Sequence, residues 1–523
     1  MTMKLISSAL VAALWSSDSI GVTAWTSSSV NFHRLAHPPS ITASIASTGS
    51  RGITALSVSS IPASTTNSTL DDGDQKQKQQ SIRMEKKVEK VVDEVVDVVE
   101  EVEEKKKSLP PLSAENAWVG KLDYEGFARE VNALGKDLLK ETTPEENVAH
   151  LHKMLRWQNA LAFVGVMTLW MSPNPFTVIA LSTWQFSSWL MIAHHTQHGG
   201  YNRFQPMAGK FHSRVFAVGT LKRRVLDWLD WIQPEAWNLE HNRLHHYRLN
   251  ELADPDYTQR NSELIRGDTL PKPAKYLGAL FLMTTWRWSY YASNTYKELK
   301  LAEHRALGDK PLPPGVRPTD CITLTSMLFP SNDNERAMVK FLNRGKFFTH
   351  VLGPFFLLRF VLLPLPLLAF IGGPTLVMNA IINLCLAELL TNVHSFMTVV
   401  TNHAGDDLYN FDDAVKPKTP SFYVRQVVGS TNMNYGNDFV DFWHGFLNYQ
   451  IEHHVWPDYS MLQLQRGAPR LKAICEKYGV PYAQDNTFVR TKKTVDIVLG
   501  KTSMREFPTE YEPARDKDLT KTD

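Results

Sequence analysis

Residues 347–400 read FFTHVLGPFFLLRFVLLPLPLLAFIGGPTLVMNAIINLCLAELLTNVHSFMTVV, and the near absence of charge in that stretch decides the class of the fold. Phe347–Ile371 and Thr375–Val400 each exceed the ~20 apolar residues that cross a bilayer, and the uncharged GGP between them is a hairpin turn. A segment that leaves water must satisfy its own backbone, so both halves are expected to be helices. Glu388, Asn392 and His394 interrupt the second half. They are expected to face protein, since a charge aimed at lipid costs about 2.5–3.5 kcal/mol even on lenient scales.

A second hairpin precedes this one. Asn159–Met171, the turn SPNP and Phe176–Ala193 repeat the pattern with a shorter first span. Four crossings in two hairpins are therefore expected. Both turns are uncharged, whereas Lys153, Arg156, Lys222, Arg223, Arg224 and Lys346 fall on the other side, which charge bias makes the cytosol-equivalent one. Lys210–Gln233 and the Trp- and Tyr-rich Lys275–Ala292 are too broken to span and read as helices lying at the interface.

The 523-residue chain carries a net charge of +2, with no basic-aromatic repeat and no zinc-finger spacing, so nucleic acid is excluded as a partner. Its three cysteines, Cys321, Cys385 and Cys475, are scattered and form no CxxC, which excludes a disulfide framework or a thiolate metal site. No dinucleotide fingerprint, P-loop or internal repeat is found. Residues 1–24 have the layout of a secretory signal: an early lysine, an apolar run and a small-residue end. Residues 25–70 are rich in Ser and Thr and free of acidic side chains, as transit peptides are. Together they resemble the bipartite presequence of algae whose plastids are reached through the endoplasmic reticulum. A charged linker follows at 71–115, with a short heptad stripe of valines at 88, 92, 95, 99 and 102.

The hairpins give the histidines meaning. The second span runs into HHTQH (His194, His195, His198), and the loop between hairpins carries HNRLHH (His241, His245, His246). His403 follows the last span, and QIEHH places Gln450, His453 and His454 beyond it. By this topology all four stretches emerge on one membrane face. On a regular helix His194 and His198 share a side, as do His241 and His245, whereas the adjacent His453 and His454 point about 100° apart. An isolated histidine such as His152, His212, His304 or His350 is ordinarily a surface or core residue. Nine of the eighteen histidines lie in these four stretches, more imidazoles than one ion can bind, so two metals are implied. Acids close by in sequence, Glu240, Asp406, Asp441 and Glu452, are expected to bond the outer imidazole nitrogens.

The three boxes and paired hairpins resemble the membrane fatty acid desaturases, from about Trp157 to Tyr482. The resemblance implies an all-α integral membrane fold with a histidine-rich di-iron cap, in a domain taken as 145–482 with 483–523 as a C-terminal tail. It implies two iron ions held by His194, His198, His241, His245, His246, His403, His453 and His454, with His195 and Gln450 as further candidates. It also implies a membrane lipid acyl substrate, O₂ and two external electrons. Gln450, the run FVDFWHGFLNYQIEHHVWP and the DPD at Asp254–Asp256 resemble the front-end branch. Three features depart from that branch: the extra His195, which leaves open whether residue 194 or 195 pairs with His198; three residues rather than two before the HH of the second box; and no HPGG haem-binding motif ahead of the core. With no fused cytochrome b5, a separate donor is expected: ferredoxin in a plastid, cytochrome b5 in the endoplasmic reticulum.

Two other readings remain at this stage. A hydroxylase or ketolase would use the same type of centre on a carotenoid or sphingolipid. A metal transporter would place its ligands near the bilayer midplane, whereas these sit at span ends and in loops. The presequence can be tested by itself: a fluorescent fusion carrying residues 1–70 is expected to label the plastid of a suitable alga, and retention in the endoplasmic reticulum would defeat the plastid assignment.

Overall fold

The computed structural model describes residues 109–308, 310–367 and 373–518, all within one compact unit, Lys90–Asp523. The presequence expectations, and the linker up to residue 108, lie outside the described residues.

Local sequence starts the first helices. Asp123 accepts from the Gly126 N–H and caps α1 (Tyr124–Glu141), and Thr143 with Glu146 closes a capping box at the start of α2 (Pro144–Met167). Asn174 caps α3 (Pro175–Phe186). Gln158 Nε2 donates to Ser188 Oγ at 2.8 Å and Thr177 Oγ1 to Thr168 Oγ1 at 2.9 Å, contacts that require α2 and α3 to run antiparallel. They meet closely at Gly165, where an added Cβ would lie 2.8 Å from a Leu181 methyl.

The Trp- and Tyr-rich segment is helical as expected: α4 (Lys272–Trp286) continues through a π turn, Arg287–Tyr291, into Ala292–Ala306. α5 (Pro374–Thr398) lies parallel to α3, for Asn174 N–H donates to Asn383 Oδ1 and Thr391 Oγ1 to Ser182 Oγ at the same sequence offset. The C-terminal half adds α6 (Pro420–Val428), α7 (Gln450–Val455), α8 (Met461–Tyr478) and α9 (Thr487–Val498). Two parallel two-residue pairings, Tyr409–Asn410 with Arg505–Glu506 and Asn432–Met433 with Gln484–Asp485, stitch this half together.

Three helices among the described residues are long and apolar enough to cross a membrane: Pro175–Gln197, Arg344–Leu362 and Pro374–Asn402. This differs from the four spans expected. α2 falls short because its first half carries Glu145, Glu146, His150, Lys153 and Arg156. The continuous helix within the expected span Phe347–Ile371 ends at Leu362, where Pro364 and Pro366 remove backbone donors and disfavour helix in the residues before them; a short turn, Leu365–Leu367, follows, and 368–371 lie outside the described residues. Phe163, Phe176, Phe356 and Met378 are all more than half exposed, an apolar girdle that suits lipid rather than water.

One other expectation changes. Lys210–Gln233 is not an interfacial helix: only Leu221–Asp227 is helical, and Phe216, Trp228 and Ile232 are buried in the core. Residues 483–518, within the stretch taken as a C-terminal tail, pack against the rest of the chain. β-pairing and α9 bind them in, and Glu512 accepts a short bond from the buried guanidinium of Arg425.

Glu388 faces inward, as expected of a charge in an apolar helix. One carboxylate oxygen accepts from Gln185 Nε2 at 2.6 Å, and the other accepts from Trp231 Nε1 at 2.8 Å and Arg287 Nη2 at 3.3 Å. Arg287 also lies 3.4 Å from Asp230, and its backbone N–H donates to Asn392. Removing one member of such a buried pair leaves the other charge unpaired, at a cost of about 3–5 kcal/mol. Glu388→Ala is therefore expected to lower thermal stability in detergent by that order, and Glu388→Gln, which keeps the acceptor, to recover part of the loss; a scanning melt compares them.

Candidate metal centre

The first box is delivered by an apolar helix that changes pitch. α3 continues through a π turn, Ser187–Ala193, into His194–Gln197, and α5 ends just before His403. The second box lies in another π turn, Glu240–His245, followed by His246–Arg248. Such wider turns recur where side chains must be re-aimed at a site. On a regular α-helix His241 would pair with His245. Here His241 also joins His246 and His245 also reaches a different set, while the two still meet each other beside Asp256. On α7 the adjacent His453 and His454 diverge, one to each set.

The eight imidazoles fall into two all-histidine groups, and a third cluster joins His241 and His245 to Asp256. His194, His198, His241, His246 and His453 make one, and His245, His403 and His454 the other. In the first, His241 Nε2 lies 2.9 Å from His194 Nε2 and 3.3 Å from His246 Nε2. In the second, His403 Nε2 lies 3.2 Å from His454 Nε2 and 2.9 Å from the Gln450 amide. The His246 and His454 rings stack at 4.1 Å and join the groups. His195 stays outside both, its Nδ1 on the Met191 carbonyl at 2.8 Å, so His194 is the first-box residue that meets His198.

These residues fit metal ions. Metal–nitrogen bonds of about 2.1 Å set at right angles hold neighbouring nitrogens about 3.0 Å apart, close to the spacings found. Buried polar atoms normally have partners, yet His198 Nε2 and both nitrogens of His453 have none. Burial, then the neighbouring imidazoles, push His246, His453 and His454 well below the ordinary histidine range. They are uncharged at neutral pH, the form that binds a cation.

Outer nitrogens fix the tautomers of the smaller group. His245 Nδ1 donates to Asp254 at 3.0 Å, His454 Nδ1 to Gln426 Oε1 at 3.0 Å and His403 Nδ1 to the Gly429 carbonyl at 3.4 Å. With the proton held outside, each Nε2 presents its lone pair inward. Burial works to lower the His245 pKa, but the charge and hydrogen bond of Asp254, with the charge of Asp256, outweigh it and leave it raised.

An apolar cavity opens against the centre. His194, His241, His245, His403 and Gln450 form one side of it, and Trp189, Leu190, Leu282, Trp286, Phe396 and Leu447 supply much of the rest. Asp256 is the one carboxylate on its wall, and no lysine or arginine lines it. Beside it Tyr291 donates to Glu240 at 3.1 Å. Burial and the adjacent Asp256 hold the Glu240 carboxyl well above the usual carboxylate range, and burial pushes Asp256 up to about 6.

This centre has a counterpart in sequence: residues 168–486 match the fatty acid desaturase family. The chain belongs to that family. A 386-residue alignment, 69% of this chain and 89% of the relative, is 23% identical to the sn-1 linoleoyl-lipid 6-desaturase of Arthrospira platensis. A 110-residue stretch, 21% of this chain, is 32% identical to the NADPH-dependent stearoyl-CoA 9-desaturase of Mycobacterium tuberculosis and spans 26% of that protein's length. The acyl-lipid (9-3)-desaturase of Physcomitrium patens is 31% identical over 99 residues, 19% of this chain and 17% of its own. No solved structure matches. With its three membrane-length helices, this desaturase-family chain is a multi-pass membrane protein.

Sequence reasoning named the eight histidines but misplaced their supports. Glu452 bonds Asn432 and Tyr482, Asp441 bonds Asn448, Tyr449 and Gln465, Glu240 bonds Tyr291, and Asp406 is exposed. Distance along the chain was the wrong guide, because the supporting groups Gln426 and Gly429 arrive from a separate helix. Asp254 was available as a signal, nine residues after His245 within the DPD. His444, beside the third box, spends its nitrogens on the Val440 carbonyl and Thr487 Oγ1. Losing a carboxylate that orients a ligand typically costs about 10–100-fold in metal affinity. Asp254→Asn is expected to weaken metal retention by that order in a chelator competition, while His444→Ala retains metal.

Proposed function

We propose that this chain is an acyl-lipid desaturase of a plastid membrane, holding two iron ions in its five- and three-histidine groups. The observation that carries the reading is the opening of an apolar cavity directly onto both groups. Bound iron would supply the activation of O₂ that removal of hydrogen from an unactivated methylene requires. Two hydrogens leave the acyl chain as a double bond forms, and O₂ with two electrons and two protons becomes two waters.

The protein's part is position, dryness and protons. Trp189, Trp286 and Phe396 hold an extended chain and exclude water beside His194, His241 and His403. Glu240 hydrogen-bonds Asp256 of the cavity wall, and burial holds both carboxyls above the usual carboxylate range. Gln450 puts a neutral amide where a fourth imidazole would complete the smaller group, which leaves that group less saturated than its neighbour. Gln450, the QIEHH box and the DPD support the front-end branch, and the near full-length similarity to a lipid-linked desaturase supports an acyl-lipid substrate. We infer four crossings in two hairpins, with α2 completing the fourth against α3. The presequence composition supports a plastid address, with ferredoxin as donor there and cytochrome b5 the counterpart in the endoplasmic reticulum.

Expression of the mature chain in a host of defined lipid composition, with mapping of any new double bond, tests the reading. Alanine at His198, His245, His246, His403, His453 or His454 is expected to reduce product by more than the ~100-fold typical of a lost supporting residue. His152→Ala and His304→Ala are expected to match the parent. Added oxygen in the product, or near-normal iron and product in two or more of the six variants, would overturn it.

A further inference from the structure

A second cleft reaches the histidines and shares no residue with the apolar cavity. It is lined by His198 and His246 of the larger group and His454 of the smaller, three of the four cluster imidazoles that the cavity does not touch. His453 lines neither and is fully buried between them. The centre is thus approached from two chemically opposite spaces, one apolar and one polar.

The polar cleft carries charge of one sign. Arg203, Arg243 and Lys418 line it against a single carboxylate, Asp458, which Arg203 already engages. Arg243 and Lys418 are exposed and have no hydrogen-bond or ion-pair partner among the described residues. The walls include Asn132 of α1 and Tyr423 of α6, bonded to one another at 2.8 Å, from helices without a membrane-length apolar stretch. Trp456 and Tyr459, stacked at 5.7 Å, complete an aromatic side.

We propose that this cleft is the docking surface for a small, soluble, acidic one-electron carrier protein, with Arg243 and Lys418 steering its approach. The inference rests on the desaturase reading for its purpose and on the cleft for its location. Two electrons must arrive from outside, one carrier at a time, and a carrier seated here would face imidazole edges of both groups, whose rings are stacked through His246 and His454. Unpaired cations at the mouth raise the encounter rate of an acidic partner, with a strong dependence on ionic strength. A lipid headgroup is disfavoured because the two free cations stand exposed at the mouth instead of converging on a buried point.

Binding is read directly, without turnover. The metal-loaded full protein in nanodiscs is titrated with a [2Fe–2S] ferredoxin, with the soluble haem domain of cytochrome b5, and with phosphatidylglycerol vesicles in separate arms. Arg243→Glu/Lys418→Glu is expected to weaken binding of the preferred carrier about tenfold or more at low salt, with the difference shrinking once the Debye length falls to about 3 Å near 1 M salt. The milder Arg243→Gln should show a smaller loss in the same direction, and Lys340→Glu, exposed away from the cleft, none. Unchanged affinity for both carriers in the double variant, or no binding by the parent, would overturn the assignment. So would a loss confined to the vesicles, which would make the cleft a headgroup site. A chain that bound a carrier through these residues yet formed no double bond would sink the desaturase reading and leave the docking surface standing.

Discussion

The carboxylate of Glu388 sets the register on which the rest of the structure depends. It sits inside an apolar helix, where an unpaired charge is costly, and reaches Gln185 on α3, Arg287 beyond α4 and Trp231 from the connecting loop. Those contacts hold α3 beside α5, and the Asn174–Asn383 and Ser182–Thr391 bonds at one sequence offset make the two parallel. Both helices then emerge at the same level, one into His194 and His198 and the other into His403. A site assembled from distant parts of the sequence needs such a fixed reference, because metal geometry tolerates little slack.

Pitch changes do the finer work. Regular α-helix would align His241 with His245 alone, and the two do still meet beside Asp256. The π turn at Glu240–His245 divides the second box between two groups, and the adjacent histidines of the third box divide in the same way. His246 and His454, one from each group, lie face to face at 4.1 Å. The outcome is a five-and-three distribution, with Gln450 beside the smaller group.

The two groups also separate two environments. Imidazoles of both groups line the apolar cavity, and others of both groups line the basic cleft. No lysine or arginine lines the cavity, whereas Arg203, Arg243 and Lys418 line the cleft.

The sequence by itself determined the solvent and the metal-binding vocabulary. Long uncharged runs can satisfy their backbone only as helices, and nine histidines in four short stretches exceed what chance or one ion would explain. It also marked Glu388 as inward, since the cost of charge in lipid follows from composition alone. Tertiary structure decided what depends on exact rotation and on distant partners. Helical periodicity cannot announce a π turn, so the split of the second box was hidden, as was the choice of His194 over His195. Pro364 and Pro366 interrupted at Leu362 a helix that hydropathy drew as continuous. Gln426 and Gly429 come from a helix and turn far from the boxes they support, so proximity in sequence pointed instead to acids that bond elsewhere. Which imidazole faces the apolar cavity and which faces the basic cleft is a property of packing in three dimensions, and no one-dimensional pattern encodes it.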